Sequence, residues 1–299
     1  MSSIFIFPGQ GSQSVGMGKD LFDNHPIARE VFEAVDDAIG AKLSDIIFNG
    51  PMEELTLTAN VQPAIFATSL AMLRVAEQNG LVDAPAFVAG HSLGEYTALC
   101  AVGAMSVHDT AKLLRLRGES MQRAVPVGQG AMAVVMGLDI DKLREICALA
   151  EHGEICDIAN DNAPGQIVIS GSKPAIERAM ELATAAGAKR AMLLPLSVPP
   201  HSRLMAPVAI EMHDALYKIE MNAPRIPLVS NRTCTPMTDV DEIRDALVYQ
   251  ITNGVRWRET VLAMPALGIT ETIEIGPGNI LTGLVPRIVP ELAAKKLEI

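Results

Sequence analysis

The chain has 299 residues, of which 49% are hydrophobic and 20% are charged, and its formal net charge is −11. This length allows one large domain or two lobes of unequal size, and the apolar content argues against disorder for most of the chain. The negative charge argues against a nucleic-acid partner, because a phosphate backbone requires a basic face. An acidic small molecule remains compatible with the sequence, since it needs only one or two local cations.

Neither the cysteines nor the N-terminus indicates an extracellular or membrane protein. The four cysteines have no CxxC or metal-ligand spacing, so we expect reduced, mostly buried thiols and no metal site. The first apolar run covers only residues 4–7 and lacks the basic segment of a signal peptide. No apolar run is long enough to span a membrane. We therefore expect a soluble protein of the cytoplasm with no membrane partner.

Short apolar runs alternate with longer helical patterns in the first part of the chain. This alternation is typical of an α/β protein with a largely parallel sheet. In chain order, the patterns predict a strand at residues 4–7, helices at 27–39 and 63–79, a strand at 86–89, and helices from 93 and at 107–125. A Gly-rich link at residues 126–130 ends this part.

After that link, the pattern has the order β-α-β-β-α-β over about 70 residues, which is the order of a ferredoxin-like split unit. The predicted elements are a strand at 131–138, a helix at 140–150, strands at 154–159 and 166–170, a helix at 172–186 and a strand at 189–196. Ser172 is expected to cap the second helix, with Pro174 in its first turn.

Longer elements return after Pro199 and Pro200. They are a helix at 204–219, a strand at 226–230, helices at 243–252 and 257–267, a strand at 271–275 and a last helix from 279. The small unit is therefore inserted into a lobe that both chain ends build. We predict a larger α/β lobe at residues 1–126 and 199–299 and a smaller lobe at residues 127–198.

The segment Gly90-His91-Ser92-Leu93-Gly94 matches the GxSxG pattern of a nucleophile elbow and lies between a predicted strand and a predicted helix. The glycines allow a sharp turn that exposes the Ser92 hydroxyl at the helix N-terminus, where free N–H groups favour developing negative charge. We therefore interpret Ser92 as a nucleophile. A plain Gly-rich turn is the alternative.

A serine nucleophile needs a base, and the chain has six histidines. His201 follows residues 197–200, whose two prolines fix the backbone as a site with one imidazole orientation requires. His91 is expected to point away from the tight turn and to support it. The others are expected in polar, helix-flanking positions: His25, His108, His152 and His213. The group that orients the base stays open, because either a carboxylate or a backbone carbonyl can do so.

Several separated motifs resemble the malonyl-CoA:acyl carrier protein transacylases of fatty acid synthesis and the related acyltransferase domains of polyketide synthases. The resemblance covers essentially the whole chain in order and spacing. The motifs are Phe-Pro-Gly-Gln-Gly-Ser-Gln at 7–13, Gly-His-Ser-Leu-Gly-Glu at 90–95, Arg-Gly at 117–118, Asn-Asp-Asn-Ala-Pro-Gly-Gln at 160–166, Ser-Val-Pro-Pro-His at 197–201 and Glu-Ile-Gly-Pro-Gly at 274–278.

This resemblance implies a larger α/β-hydrolase-like lobe, an inserted ferredoxin-like lobe and an active site in the cleft between them. It also implies that Ser92 is the nucleophile and His201 the general base. The main-chain carbonyl of Gln250 corresponds to the group that orients the histidine, so the family works as a dyad without a carboxylate. Arg117 corresponds to the arginine that pairs with the malonyl carboxylate.

The resemblance further implies an oxyanion hole formed by the backbone N–H groups of Gln10 and Leu93. The remaining residues expected at the substrate site are His91, Asn160 and Asn162. Two positions depart from the family. Asp161 replaces a residue that is often apolar or aromatic, which would change the electrostatics of the cleft, and Ser202 replaces a common cysteine.

The implied activity is S-malonyl transfer from coenzyme A to an acyl carrier protein through a malonyl-Ser92 ester. Coenzyme A then takes part as a substrate, and no metal or tightly bound cofactor is expected. We also expect a monomer. Because carrier proteins are acidic, a basic docking face is expected at Lys189-Arg190 or at Arg287, although two adjacent cations are also typical of a solvated edge.

Three other functions use the same sequence features. An acyltransferase subunit of a malonate decarboxylase complex would share the chemistry and serve another carrier. A serine thioesterase or hydrolase would share Ser92 and His201 but release the product to water. A non-catalytic module that binds a carrier protein would keep the fold without acylation of the serine.

Overall fold

The computed structural model of the chain describes residues 2–196 and 198–299, which form ten strands in two sheets, thirteen α-helices and two 3₁₀ turns at Arg203–Met205 and Pro265–Leu267. The strands are β1 Ser3–Phe7, β2 Phe87–Gly90, β3 Gly130–Met136, β4 Cys156–Ala163, β5 Gln166–Ser172, β6 Arg190–Leu193, β7 Leu228–Val229, β8 Pro236–Met237, β9 Glu271–Glu274 and β10 Ala293–Lys296. The helices are α1 Lys19–Asn24, α2 Pro26–Ile39, α3 Leu43–Asn49, α4 Met52–Thr56, α5 Thr58–Gln78, α6 Gly94–Ala101, α7 Val107–Ala124, α8 Ile140–Ala150, α9 Lys173–Ala185, α10 Ala206–Leu216, α11 Val240–Thr252, α12 Trp257–Ala263 and α13 Ile280–Ile288. The predicted α/β class is confirmed.

The larger sheet has the strand order β10-β9-β1-β2-β7-β8 and is parallel except for the pairing of β7 with β8. Its strand β1 is buried on both faces, as expected in a parallel sheet that helices cover. Alternate residues of a strand point to opposite faces, so Phe5 and Phe7 join one apolar cluster while Ile4 and Ile6 join another. The N-terminal strand is therefore held by both clusters.

The smaller sheet has the order β4-β5-β3-β6, and each of its pairings is antiparallel. Its elements follow in the chain order β3-α8-β4-β5-α9-β6, which was predicted. One face, with Ala133 and Ile169, packs against α8 and α9. Met132 and Val168 on the other face line two cavities that are also lined by Gln10 and His91, which follow strands β1 and β2 of the larger sheet.

Two contacts fix the smaller sheet against the rest of the chain. Val255, between α11 and α12, pairs with β4: its N–H donates to the carbonyl of Ala159 (2.8 Å), and its carbonyl accepts from the N–H of Asp161 (3.0 Å). Arg203 forms an ion pair with Asp157 of β4 (2.9 Å). The edge strand β4 is therefore covered, and its position is set by both contacts.

The chain enters and leaves the smaller sheet at neighbouring points. β3 begins at Gly130, and a Cβ atom added there would lie 2.6 Å from Cδ of Pro199, which follows the last strand of this sheet. Because real Cβ atoms do not approach a neighbour so closely, only glycine allows this contact. The two connecting segments therefore touch where they cross from one sheet to the other.

The start of α5 differs from its prediction. A start at Pro63 was expected, but the helix begins at Thr58 and Pro63 lies in its second turn. Proline has no N–H to donate to the residue four positions earlier, which is Ala59. The carbonyl of Ala59 instead accepts a hydrogen bond from Nη1 of Arg115 (3.4 Å). A side chain from α7 thus replaces the missing helix bond.

Two further predictions need correction. Ser172 precedes α9 as predicted, but its side chain makes no cap bond; the hydroxyl accepts a hydrogen bond from the N–H of Ile155 (3.3 Å). The strand predicted at residues 154–159 runs on to Ala163 as β4, through two register shifts. The elements α1, α3, α4, β8 and β10 were not predicted, because each is too short to show a hydrophobic period.

Within the described residues, no helix is both long and apolar enough to cross a membrane. The same residues contain no group of three or more His, Cys, Asp or Glu side chains that could hold a metal ion. The four cysteines are free and buried, as predicted.

The turn between β2 and α6 requires glycine at two positions. A Cβ atom on Gly90 would lie 1.9 Å from the carbonyl carbon of Gly94, and a Cβ atom on Gly94 would lie 2.2 Å from the carbonyl oxygen of Phe7. The obstructing atoms belong to the backbone, which cannot move aside as the end of a side chain can. These glycines therefore allow α6 to start directly against β1 and β2.

We expect Gly94→Ala to lower the free energy of unfolding by about 3 kcal/mol or more, because the added methyl group overlaps backbone atoms. Gly283→Ala is the matched control: it lies inside α13, where an added Cβ meets no atom within 4 Å. Removing a helical glycine should raise the free energy of unfolding by about 0.5–1 kcal/mol. Urea unfolding measures both, and equal effects of the two substitutions would contradict the packing argument.

Candidate active site

Ser92 lies in the sharp turn between β2 and α6. Its φ is 54°, a left-handed conformation that a non-glycine residue adopts only where the surrounding structure holds it. Hydrogen bonds hold it here: the Ser92 N–H donates to Oδ1 of Asn231 (3.1 Å), and the Glu95 N–H donates to the Ser92 carbonyl (3.0 Å). The hydroxyl consequently faces the space between the two sheets.

His201 meets this hydroxyl from the loop that follows the smaller sheet. Its Nε2 lies 2.8 Å from Ser92 Oγ, and its Nδ1 lies 2.7 Å from the carbonyl oxygen of Gln250. A carbonyl oxygen can only accept, so Nδ1 carries the proton and Nε2 is free to accept from the serine. The Ser202 hydroxyl donates to the carbonyl of Pro199 (2.7 Å) and closes the loop. In the described part of the chain, no carboxylate bonds to this imidazole.

The surroundings of His201 keep its imidazole neutral. Burial and the nearby charge of Arg117 lower the pKa of His201 from 6.5 to about 3, against a smaller opposite effect of the bond to the Gln250 carbonyl. Burial also lowers the pKa of His91. A neutral imidazole beside a hydroxyl can take its proton, which is what a general base requires.

Arg117 is fully enclosed beside the serine, with 2% of its surface exposed. Its Nη1 donates to Oε1 of Gln62 (2.6 Å), and its Nη2 donates to Ser92 Oγ (3.1 Å) and to Oε1 of Gln250 (3.0 Å). Within residues 2–196 and 198–299, its Nε has no acceptor and no carboxylate lies within ion-pair distance. Since a buried charge is normally paired, this guanidinium is suited to an anionic ligand.

Gln10 and Leu93 line a cavity of about 90 Å³ at the Ser92 hydroxyl, together with Arg117 and His201. Among the described residues, neither backbone N–H has an acceptor. Two free N–H groups next to a nucleophile can stabilise an oxyanion. The structure therefore brings these predicted residues into one site.

The site continues into a neighbouring cavity of about 270 Å³. Gln10, His91 and Asn160 line both cavities, and Asn162 lines the larger one. The His91 Nε2 lies 2.9 Å from Oδ1 of Asn162, so this histidine braces the cavity wall instead of facing the Ser92 hydroxyl. Within the described chain, Oδ1 of Asn160 and Nε2 of Gln10 are buried without partners. The residues that line the cavity thus include one acceptor atom and one donor atom without a partner.

A third cavity, of about 410 Å³, lies on the surface and is lined by Lys189 and Arg287. Arg287 of α13 also bonds to Oε1 of Gln166, which lines the 270 Å³ cavity. Arg190 is exposed and donates to the sulfur of Met192 (3.1 Å). The two basic segments predicted separately from the sequence therefore contribute one cation each to the same groove.

Asp161, one of the departures from the family motif, lines none of these cavities. Its carboxylate is buried and accepts hydrogen bonds from Nε of Arg258 (2.8 and 3.0 Å), whose pKa it raises. The charge is therefore balanced behind the wall of the cleft. The charge of Arg258 therefore opposes the electrostatic change expected from Asp161.

Three polar residues of the site were not predicted: Gln62, Glu95 and Asn231. Burial raises the pKa of Glu95 to about 7, opposed by hydrogen bonds from Asn231 and Gln250 and by the charge of Arg117. Asn231 follows β7 at the carboxyl end of a parallel strand, where α/β proteins commonly place functional residues. That position is the one signal in the sequence that points to it.

A family model described as an acyl transferase domain matches residues 4–294. The chain therefore belongs to the acyl transferase domain family. It is 47% identical over 293 residues to the malonyl CoA-acyl carrier protein transacylase of Escherichia coli K12, an alignment that covers 98% of this chain and 94% of the relative. The corresponding protein of Bacillus subtilis 168 is 45% identical over 290 residues, covering 96% of this chain and 91% of that protein.

Solved structures give the same relationship. An acyl-carrier-protein-S-malonyltransferase from Bartonella henselae superposes with a TM-score of 0.97 at 52% identity, covering 100% of this chain and 96% of that one. A malonyl-transacylase solved in complex with a type II PKS acyl-carrier protein has a TM-score of 0.97 at 43% identity, covering 99% of this chain and 96% of that one. The resemblance to malonyl CoA-acyl carrier protein transacylases is thus confirmed.

The lowered pKa of His201 should make the stability of the protein depend on pH. At His201 an unfolded chain takes up a proton near pH 6.5, but the folded chain does so only near pH 3, so the contribution of this group to the free energy of unfolding falls as the pH drops through that window. The contribution is about 1.4 kcal/mol per pH unit. Urea unfolding between pH 4.5 and 6 should show this slope reduced by about one proton in His201→Gln.

His213→Gln is the control for this measurement, because its side chain is 52% exposed. It should keep the slope of the unsubstituted protein. An unchanged slope in His201→Gln would show that the imidazole titrates alike in the folded and unfolded chains, contrary to expectation.

Proposed function

We propose that the chain is a malonyl-CoA:acyl carrier protein S-malonyltransferase of fatty acid biosynthesis. The observation that carries the proposal is the buried guanidinium of Arg117, which lies 3.1 Å from Ser92 Oγ and has no carboxylate partner in the described chain. A malonyl thioester supplies both a carbonyl for the serine and a carboxylate for the arginine. The names of the bacterial relatives at 45–47% identity support this activity.

In the first half-reaction, the Ser92 oxygen attacks the thioester carbonyl carbon of malonyl-CoA while Nε2 of His201 takes the hydroxyl proton. The Gln250 carbonyl stabilises the imidazolium through Nδ1–H. The tetrahedral intermediate then collapses, the carbon–sulfur bond breaks, and the coenzyme A sulfur receives the proton from His201. The product is a malonyl ester on Ser92.

In the second half-reaction, the phosphopantetheine thiol of the carrier protein attacks that ester. His201 takes the thiol proton and returns it to the Ser92 oxygen as the ester bond breaks. Because coenzyme A leaves before the carrier reacts, the kinetics should be ping-pong. No metal or bound cofactor is needed for either step, and coenzyme A enters only as a part of the substrate.

The backbone N–H groups of Gln10 and Leu93 would hold the oxyanion in both steps, and loss of one such donor typically lowers the rate by about 10²–10³. Arg117 would select the acyl group, because its guanidinium forms charge-assisted hydrogen bonds with a carboxylate that an acetyl group lacks. The substrate-binding role proposed for Asn160 and Asn162, with His91, is to line the channel for the pantetheine arm, whose amides match the free donor and acceptor there.

We assign the residues to two lobes. The larger sheet with its helices, residues 1–126 and 199–299, would form an α/β-hydrolase-like lobe. Residues 127–198 would form a ferredoxin-like lobe, a proposal that the strand order β4-β5-β3-β6 and the antiparallel pairings support. Met1 and Ser197 fall within these assignments but lie outside the described residues. The cleft between the lobes would then hold the active site.

The acidic carrier protein would dock over the groove lined by Lys189 and Arg287, since one cation comes from each lobe and the groove adjoins the channel to Ser92. Arg190 lies beside it on the exposed edge. The proposed substrates place the reaction in the cytoplasm. A relative that was solved in complex with an acyl-carrier protein supports this class of partner.

Mixing the protein with malonyl-CoA, without a carrier, should add one malonyl mass to the chain at Ser92. The same mixture with acetyl-CoA should add little, because an acetyl group leaves Arg117 unpaired. Intact-mass measurement and peptide mapping test both expectations, with Ser92→Ala as the control that should stay unmodified and folded. Steady release of coenzyme A without a covalent increment would support a hydrolase instead. If neither acylation of Ser92 nor release of coenzyme A is observed, only a binding function remains.

Arg117→Ala should lower the rate of Ser92 acylation by malonyl-CoA relative to acetyl-CoA by about a hundredfold, since charge-assisted bonds to the carboxylate are lost. Acetylation itself should rise. Arg123→Ala on the same helix is the matched control, because Arg123 pairs with Glu211 and lies away from the cavity (57% exposed). An unchanged substrate preference in Arg117→Ala would remove this arginine from the proposed role.

A further inference from the structure

The side-chain amide of Gln250 lies between the two charged groups of the buried site. Its Oε1 accepts from Nη2 of Arg117 (3.0 Å), and its Nε2 donates to a carboxylate oxygen of Glu95 and to the carbonyl of Ser92 (3.1 Å). Gln250 is 2% exposed and Glu95 is 1% exposed, so water does not substitute for these bonds. The amide therefore links the arginine to the nucleophile turn.

The chemistry of its neighbours fixes the orientation of this amide. A guanidinium can only donate a hydrogen bond, and the backbone carbonyl of Ser92 can only accept one. Turning the amide over would place an NH₂ group against Arg117 and an oxygen against both Glu95 and the Ser92 carbonyl. Only the observed orientation satisfies the three contacts at once.

Glu95 is itself held in place on its other side. Its second carboxylate oxygen accepts from the backbone N–H of Asn231 (2.6 Å), and the Asn231 side chain bonds to the N–H of Ser92 (3.1 Å) and to the carbonyl of Gly90 (2.9 Å). A closed set of hydrogen bonds thus joins Arg117, through Gln250 and Glu95, to both sides of the Ser92 turn.

The main chain and the side chain of Gln250 serve different groups. The main-chain carbonyl bonds to Nδ1 of His201 (2.7 Å), and the side chain bonds to Arg117. A substitution at this position removes the side chain but leaves a carbonyl in the backbone. The two contributions can therefore be separated by experiment.

We infer that the side-chain amide of Gln250 is a positioning group for acyl selection: oriented by Glu95, it holds Arg117 where the guanidinium meets the malonyl carboxylate. This inference rests on the proposed function and extends it to a group that touches neither the thioester nor the carboxylate. Gln62 accepts a hydrogen bond from Nη1 of Arg117, and Gln250 accepts one from Nη2. The other acceptor of Nη2 is Ser92 Oγ, which becomes part of the ester in the proposed reaction, so Gln250 is the partner that holds this nitrogen without reacting.

The test compares acylation of Ser92 by malonyl-CoA and by acetyl-CoA in Gln250→Met, which keeps the length of the side chain and removes its polar atoms. The preference for malonyl over acetyl should fall about tenfold or more, the loss that follows when a hydrogen bond to a charged group is removed. The fall should come from a higher KM for malonyl-CoA. The rate with acetyl-CoA measures any loss that the substitution causes for both thioesters through the Ser92 turn, so the ratio of the two rates isolates the effect on the malonyl carboxylate.

Gln250→Asn provides a second variant in case the apolar one does not fold. It keeps an amide in the polar pocket but is one methylene too short to reach Arg117 and Glu95 together, so the same loss of preference is expected. Gln122→Met is the matched control: Gln122 is half-buried and accepts a hydrogen bond from the N–H of Ala59 (3.0 Å), outside the cavity. Its preference should equal that of the unsubstituted protein.

Three outcomes bear on the inference. A malonylation rate that falls further than the acetylation rate, and so a lower preference, supports it. Equal losses with both thioesters, or an unchanged preference in a folded variant, would overturn it and leave Gln250 with its main-chain role alone. If the unsubstituted protein itself is not malonylated, the proposed function fails first, and this result is distinguished by the mass increment at Ser92.

Discussion

Removing a charge from water requires other groups to replace its hydration, and Arg117 is the charge that this chain buries beside its nucleophile. Burial lowers the pKa of His201 and raises that of Glu95, and the charge of Arg117 adds to the first shift and opposes the second. The same guanidinium bonds to Ser92 and Gln250. One buried cation therefore affects the strength of the base, the position of the nucleophile and the charge of the ligand that the site accepts. The polar residues around this cation are arranged to support it.

The site is assembled from segments that are far apart in sequence and become neighbours at the ends of parallel strands. Ser92 follows β2, and Asn231, which bonds to it, follows β7, 139 positions later. His201 comes from the loop after the smaller sheet, and Gln250 from α11. Each sheet alone would present only part of this set. The contacts between β4 and Val255 and between Asp157 and Arg203 are therefore contacts on which the geometry of the site depends.

Local patterns explain why much of the fold and site could be predicted. The glycines around Ser92 mark a turn in which a side chain would strike backbone atoms, and the prolines before His201 mark a stiff loop. The β-α-β-β-α-β order was visible from hydrophobic periodicity. The roles of Glu95 and Asn231 were not predictable, because they arise from contacts between distant segments. The start of α5 was wrongly predicted because the helix continues through Pro63. Arg115 bonds to the carbonyl of Ala59, which the proline leaves without its helix bond.

The contact between Gly130 and Pro199 has a consequence for how such a molecule can evolve. Because the two crossings touch, the segment between them is attached to the rest of the chain at one place, as a domain inserted into a surface loop is. Lengthening or replacing that segment would not require the strands of the host sheet to separate. Substitutions in that segment, including those of residues that line the cavities such as Met132 and Val168, can therefore accumulate while the serine turn is inherited unchanged.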